Sequence, residues 1–161
     1  IKNKYIGRTF ISPGQNTRLD QVRIKLSAVE ESVRGKRVVL IDDSIVRGTT
    51  SERIVRLLKE AGASQIHMRI SAPPFLYPCY YGTDIDSREH LIACKYDTEE
   101  TAKQIGADSL GYLPVSRLCG LAQGYAYCSA CFDGNYPTPV PADTRKDRFE
   151  QKLSDRKRNR A

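Results

Sequence analysis

The chain has 161 residues, 40% of them hydrophobic and 28% charged, which is enough apolar material for one domain with its own core. No apolar run approaches the roughly 18 to 20 residues that span a bilayer, and no basic-then-apolar segment opens the chain as a secretory signal would, so a cytoplasmic protein is expected. The formal net charge of +7 invites a nucleic-acid reading, but eight Lys or Arg against three Asp or Glu between Arg145 and Ala161 leave only +2 for residues 1 to 144.

In chain order, Ile1-Lys2-Asn3-Lys4-Tyr5 reads as the middle of a longer polypeptide, and residues 1 to 30 as a mobile basic loop that ends in a short helix or ragged turn. Val38-Val39-Leu40-Ile41 is a continuous β-branched and apolar run, predicting a strand buried on both faces, as in a parallel sheet. The apolar positions Ile54, Val55, Leu57, Leu58 and Ala61 then lie on one helical face. Thr49 with Glu52 has the form of a capping box at the start of this helix, and Gly62 stands where a left-handed cap ends one. Ile66 to Ala72 alternates as a second strand. Strand, loop, helix and strand within about 35 residues make one right-handed βαβ unit over 36 to 72.

Pro73-Pro74 closes that unit, and residues 75 to 86 read as irregular chain rich in Tyr, Pro and Gly. Short helices are predicted over Arg88 to Ala93, Thr98 to Ile105 and Val115 to Gln123, with a short strand at Leu110 to Leu113. Beyond Gly124 no regular pattern stands out, and residues 142 to 161 form a basic tail with only Phe149 and Leu153 as apolar anchors. That tail is expected to be a solvated, fraying helix. A nucleic-acid-binding chain would place its charge on a folded face instead.

Asp42-Asp43 follow the first strand directly, at the carboxyl edge where open α/β sheets bind ligands. Two adjacent carboxylates repel unless a cation or hydroxyl groups compensate, and a sugar diol with Mg²⁺ supplies both. From Ser44 through Ile45, Val46, Arg47, Gly48, Thr49 and Thr50 the chain offers small residues, hydroxyls and backbone N–H groups converging on a helix N-terminus, a cradle fit for a monophosphate. It is not a Walker loop, because Gly-Lys-Ser/Thr is absent. On these residues alone, strand-end acids that merely cap a turn are an equal alternative.

Five cysteines, Cys79, Cys94, Cys119, Cys128 and Cys131, make an odd count without a secretory signal, which argues against a disulfide framework. Cys128-Ser129-Ala130-Cys131 has the spacing with which two thiolates grip one metal or cluster, and a pair of ordinary reduced thiols fits it equally well. Cys94 and Cys119 read as buried thiols. His67 and His90 read as ordinary surface or half-buried residues.

The run Val38 to Thr50, four apolar residues, two acids and a small-residue loop with Gly-Thr, resembles the phosphoribosyl-pyrophosphate (PRPP) signature of type I phosphoribosyltransferases. The flanks narrow the resemblance: Asn3 to Ile11, Pro13-Gly14-Gln15, Val22 to Leu26, Ser71 to Pro74, Tyr77-Pro78-Cys79, Gly82-Thr83-Asp84, Glu89 to Ala93, Ile105 to Asp108 and Phe132 to Pro137 are similar to segments of the glutamine phosphoribosylpyrophosphate amidotransferase family. The likeness covers residues 1 to about 138. It departs at Ser116-Arg117 and in the basic tail, where relatives tend to be acidic.

The resemblance implies an α/β fold with a parallel sheet flanked by helices and an irregular, cysteine-containing C-terminal segment. It implies a flexible loop over 1 to 30, a PRPP-binding unit over 36 to 72 and a helical, cluster-binding region over 73 to 141. Asp42 and Asp43 would bind the ribose hydroxyls and Mg²⁺, and Ser44 to Thr50 would wrap the 5-phosphate. Arg8 and Lys25 would face the pyrophosphate, with Phe10, Ile11 and Leu91 near an ammonia path. Cys79, Cys128 and Cys131 would be three ligands of a [4Fe–4S] cluster whose fourth lies N-terminal to this chain. Zinc is the competing metal. The partners implied are PRPP, ammonia released from glutamine by an N-terminal glutaminase domain, purine nucleotides as feedback inhibitors and further copies of the subunit. Two alternatives are another type I phosphoribosyltransferase, which would leave the cysteines unexplained, and a PRPP-responsive regulator that is not an enzyme.

Overall fold

The computed structural model describes residues 28–83, 85, 87–121 and 127–140. The predicted helix or turn before Val29 and the basic tail lie outside them. Within them the order is α1 (Glu30–Val33), β1 (Arg37–Asp42), α2 (Thr49–Glu60), β2 (Gln65–Ile70), two 3₁₀ turns (Arg88–His90 and Ile92–Cys94), α3 (Thr98–Ile105), β3 (Ser109–Tyr112), α4 (Val115–Gly120) and α5 (Ala130–Asp133). The strands form one parallel sheet in the order β1-β2-β3. Val38 is level with Ile66, and Met68 stands between Leu40 and Leu110. Every crossover is helical, as parallel pairing requires.

The core lies on one face of this sheet. Ile66, Met68 and Ile70 of β2 are buried against Val55 of α2, Ile105 of α3, the loop residue Ile45 and Ile92 of the second 3₁₀ turn. The expectation that β1 is buried on both faces is not met. Its residues alternate, and Val39 and Ile41 are 63% and 74% exposed. Both helices that cover the sheet, α2 and α3, pack on the Val38 and Leu40 side, so only that half of the apolar run is removed from water.

Local rules set several boundaries. Asp97 caps α3, its carboxylate accepting the Glu100 N–H at 2.8 Å while the Glu100 side chain accepts the Asp97 N–H at 3.2 Å, a complete capping box. Gly106 ends that helix in the left-handed conformation. For α2 the expected Thr49–Glu52 box is corrected: Gly48 occupies the N-cap with φ of 85°, and no side chain caps the helix. The predicted helix over Arg88 to Ala93 is two 3₁₀ turns, and that from Val115 ends at Gly120. A second apolar cluster, Phe75, Ile85 and Leu91, lies beneath the irregular chain and packs against Cys79, Cys94, Cys131 and Phe132.

Two substitutions separate local from tertiary support of α3. Asp97→Ala is expected to lower the unfolding free energy by about 1 kcal/mol through loss of the cap. Ile105→Ala, at a side chain 1% exposed, should lower it by about 3 kcal/mol. Urea denaturation of the two variants checks the order, and a larger loss for Asp97→Ala would contradict it.

Candidate functional site

Asp42 is the last residue of β1, and its backbone still belongs to the sheet. Its carbonyl accepts the Ser71 N–H at 3.0 Å and the Ser71 hydroxyl at 3.2 Å, which ties the end of β1 to the end of β2. The half-buried carboxylate stays at the sheet's edge, where it accepts the Asp43 N–H at 3.0 Å. Asp43 is exposed and takes the Ser44 hydroxyl at 3.2 Å. Burial, with the Asp43 charge adding to it against that one N–H bond, raises the Asp42 carboxyl above its ordinary value of 3.8.

The loop from Ser44 to Gly48 is anchored twice. Ile45 is 2% exposed and sits in the core, while the Val46 carbonyl accepts the Ile92 N–H at 2.9 Å. Gly48 then turns the chain into α2 at a positive φ, so close to Ile92 that a Cβ would stand 2.5 Å from its Cδ1. A side chain is excluded there twice over, by sterics and by backbone conformation. Because no side chain occupies the cap, the first-turn N–H groups of the twelve-residue helix α2 point at the loop. The structure thus brings together Asp42 to Thr50 as one edge, loop and helix start.

A cleft of about 200 Å³ opens beside the loop, lined by Arg47, Gly48 and Thr49 together with Lys95, Tyr96 and Gln104. Asp42 and Asp43 do not line it. No pattern in the sequence marks Lys95, Tyr96, Gln104 or Ser71 as a site residue. Lys95 and Tyr96 follow Ile92, and Gln104 precedes Ile105, and both isoleucines pack against Gly48, tertiary contacts with no local signature.

Leu91, expected on an ammonia path, is wholly buried in the second cluster with Phe75 and Ile85. Arg8, Phe10, Ile11 and Lys25 lie outside the described residues. His67 is half-buried, its Nδ1 2.9 Å from the Ser109 hydroxyl, and His90 is exposed on a 3₁₀ turn.

Cys79, Cys94, Cys128 and Cys131 are free thiols. Cys94 is half-buried, not fully buried as expected, and donates its thiol to the Leu76 carbonyl at 3.3 Å. Cys79 and Cys131 are half-buried in one apolar cluster, and Cys128 is exposed. Burial pushes the Cys131 thiol up to about 11, with the charges of Cys79 and Cys128 adding to it, which places all three in one electrostatic neighbourhood. Burial also acts on Cys79, but N–H groups of Gly82, Tyr81 and Thr83 and the Thr83 hydroxyl outweigh it and lower its thiol below 9.0. Among the described residues no three His, Cys, Asp or Glu side chains close around a single metal ion.

A parallel α/β sheet with two acids and a side-chain-free helix cap at its carboxyl edge belongs to the class of open sheets that bind ligands at that edge, and comparison with known proteins narrows it. Residues 2–97 match the phosphoribosyl transferase domain, and the chain belongs to that family. It is 53% identical over 150 residues to the amidophosphoribosyltransferase of Bacillus subtilis, covering 89% of this chain and 32% of the relative. Its fold matches the glutamine phosphoribosylpyrophosphate amidotransferase of B. subtilis complexed with ADP and GMP, with a TM-score of 0.73, 52% identity, and coverage of 89% of this chain and 33% of that one. A second solved structure, the allosteric regulatory enzyme of purine biosynthesis, matches with a TM-score of 0.76 and 49% identity, over 95% of this chain and 34% of that one. The chain therefore spans about a third of the length of these relatives.

Two outcomes test the site as described. Gly48→Ala should cost about 1 to 3 kcal/mol of stability from strain at a positive φ, read as a lower urea midpoint. For Asp42, the folded state holds the proton more tightly than the unfolded chain does, so the ionised carboxylate costs stability above its raised pKa. Asp42→Asn, which keeps an acceptor for the Asp43 N–H, is expected to raise the melting temperature of the ligand-free protein at neutral pH. The gain should fade as pH falls to 3.8 and below. A melting temperature unchanged across that range would contradict the electrostatic reading.

Proposed function

We propose that this chain is the PRPP-binding, ammonia-transferring part of an amidophosphoribosyltransferase, the first committed step of purine synthesis. The full reaction converts PRPP, glutamine and water into 5-phosphoribosylamine, glutamate and pyrophosphate. The observation that carries this reading is the acidic pair at the carboxyl edge of β1, running without a gap into a loop that ends on the side-chain-free cap of α2.

In the proposed reaction the bond from C1 of the ribose to pyrophosphate breaks and a bond from C1 to the ammonia nitrogen forms. Positive charge develops on the ribose, and carboxylates beside it favour that state. Asp42 and Asp43 are assigned to the ribose 2- and 3-hydroxyls, and Ser44, Ile45, Val46, Arg47, Gly48, Thr49 and Thr50 to the 5-phosphate. Burial, with the neighbouring Asp43 charge adding to it, raises the Asp42 carboxyl, and a divalent cation beside the pair would favour both ionised forms. Mg²⁺ held there would neutralise charge on the departing pyrophosphate.

Arg8 and Lys25, on a loop over 1 to 30 that closes and keeps water out, are assigned to the pyrophosphate, and Phe10 and Ile11 of that loop, with Leu91, to the ammonia path. Burial of Leu91 among apolar side chains suits a dry wall. The ammonia would come from glutamine at a glutaminase domain preceding the two regions assigned to 36–72 and 73–141. A cytoplasmic homo-oligomer with purine-nucleotide feedback completes the reading, in keeping with the nucleotides bound to the B. subtilis structure. Among the described residues no helix is long and apolar enough to cross a membrane.

Cys79, Cys128 and Cys131 are assigned as ligands of a [4Fe–4S] cluster. The donor chemistry fits: one thiol has its thiolate favoured by N–H groups, and a second, raised by burial and then by the charges of its companions, is one whose ionised form an iron cluster would stabilise. A four-iron cube is wider than one ion, so it asks for thiols gathered but not in contact. When bound, the cluster would cross-link the chain before β3 to the chain after it.

Full-length protein carrying Asp42→Asn and Asp43→Asn together should release pyrophosphate from PRPP roughly 100-fold more slowly, with glutamine and with free ammonia alike. Wild-type protein that releases pyrophosphate with a nucleobase and not with ammonia would overturn the assignment. Anaerobic iron and acid-labile sulfide analysis tests the cluster, and zinc without iron would exclude it while leaving the acidic pair untouched.

A further inference from the structure

The helix that carries Cys131 is four residues long, too short to be stable alone, so contacts outside it must hold its thiol in place. Those contacts form a seam along the chain around Cys79, and none of them uses sulfur. Before Cys79, the Cys131 carbonyl accepts the Leu76 N–H at 3.0 Å and the Tyr77 N–H at 3.1 Å, and the Phe132 ring lies 4.9 Å from Phe75. Next to Cys79, the Tyr136 hydroxyl donates to the Pro78 carbonyl at 2.7 Å. Beyond it, the Tyr136 ring stands 5.2 Å from Tyr80 and 6.4 Å from Tyr81, whose hydroxyl meets that of Thr138 at 2.9 Å.

Two residues make this closure possible. Gly134 ends α5 with φ of 79° and turns the chain back across Tyr77, so near that a Cβ would stand 2.9 Å from the ring's Cζ. Tyr136, two residues on, supplies the hydroxyl that reaches the backbone beside Cys79. Burial, then the charges of Tyr80, Cys131 and Cys79, push this phenol up to about 12, so it stays a neutral donor beside the thiols.

We infer that Gly134 and Tyr136 are positioning residues for the cluster, locking the Cys128–Cys131 segment onto the Cys79 segment so that the thiols are gathered before any cluster binds. This rests on the cluster assignment proposed above. Neither residue is a ligand. Each acts through the backbone of a cysteine or of its neighbour, as outer partners of a metal site do.

The test uses full-length protein purified anaerobically, with a ferrous chelator as the probe and cluster loss followed by visible absorbance. Tyr136→Phe, which keeps the ring and removes one hydrogen bond, should lose its cluster about tenfold faster than wild type, and Gly134→Ala at least as fast. PRPP affinity and the melting temperature of Tyr136→Phe should match wild type. If both variants release iron at the wild-type rate, the inference fails and the cluster assignment stands. Wild-type protein without iron and sulfide overturns both. If Tyr136→Phe loses PRPP affinity in parallel with its cluster, the role is general packing and the positioning claim is overturned.

Discussion

Asp42 has its backbone inside the sheet and its carboxylate outside it, and the rest of the site depends on that division. The main chain is fixed by the β1–β2 ladder and by Ser71, which takes up the last carbonyl. The carboxylate therefore cannot relax away from Asp43 by moving the backbone, and burial, with the Asp43 charge adding to it, holds its carboxyl above the ordinary value in the folded state. The loop after Asp43 is equally constrained, with Ile45 sunk in the core and Gly48 pressed on Ile92. Charge and cradle are thus held in register by apolar and backbone contacts, and neither needs a ligand to find its place.

The elements written in local signals were legible in the sequence. The α3 boundaries follow from Asp97, Glu100 and Gly106 alone, and β1, β2 and the apolar face of α2 follow from periodicity. Where a tertiary contact decides, the sequence misled. Thr49 and Glu52 have the form of a capping box, yet the approach of Ile92 selects Gly48 as the cap and moves Thr49 into the helix. Val39 and Ile41 read as interior because apolar residues alone cannot report which face a helix will cover.

The candidate site divides the same way. The acidic pair and its loop are contiguous, so one strand end displays them, and a physical argument reaches them without the fold. Lys95, Tyr96 and Gln104 share the adjoining cleft but lie far along the chain from Arg47. The three cysteines are separated by up to 52 positions between Cys79 and Cys131, and spacing pairs only the last two. The aromatic and backbone seam joins the Cys79 segment to the Cys131 segment, and no periodicity or spacing in the sequence marks its residues as a pair.

The two sites share a design. Each collects acidic groups, carboxylates at the sheet edge or thiols beside the second apolar cluster, and each does so with neutral groups that take no part in their ionisation. At the edge these are the Ser71 N–H and Ile45; at the cysteines they are the Leu76 and Tyr77 N–H groups, the phenyl pair Phe75–Phe132 and the Tyr136 hydroxyl. A site held together by its own charges would relax when empty and have to be rebuilt on binding. Held by neutral contacts, both groupings keep their places without a ligand. Leu91 connects the two, lying in the apolar cluster beneath Cys79 and Cys131 while the neighbouring Ile92 docks on Gly48.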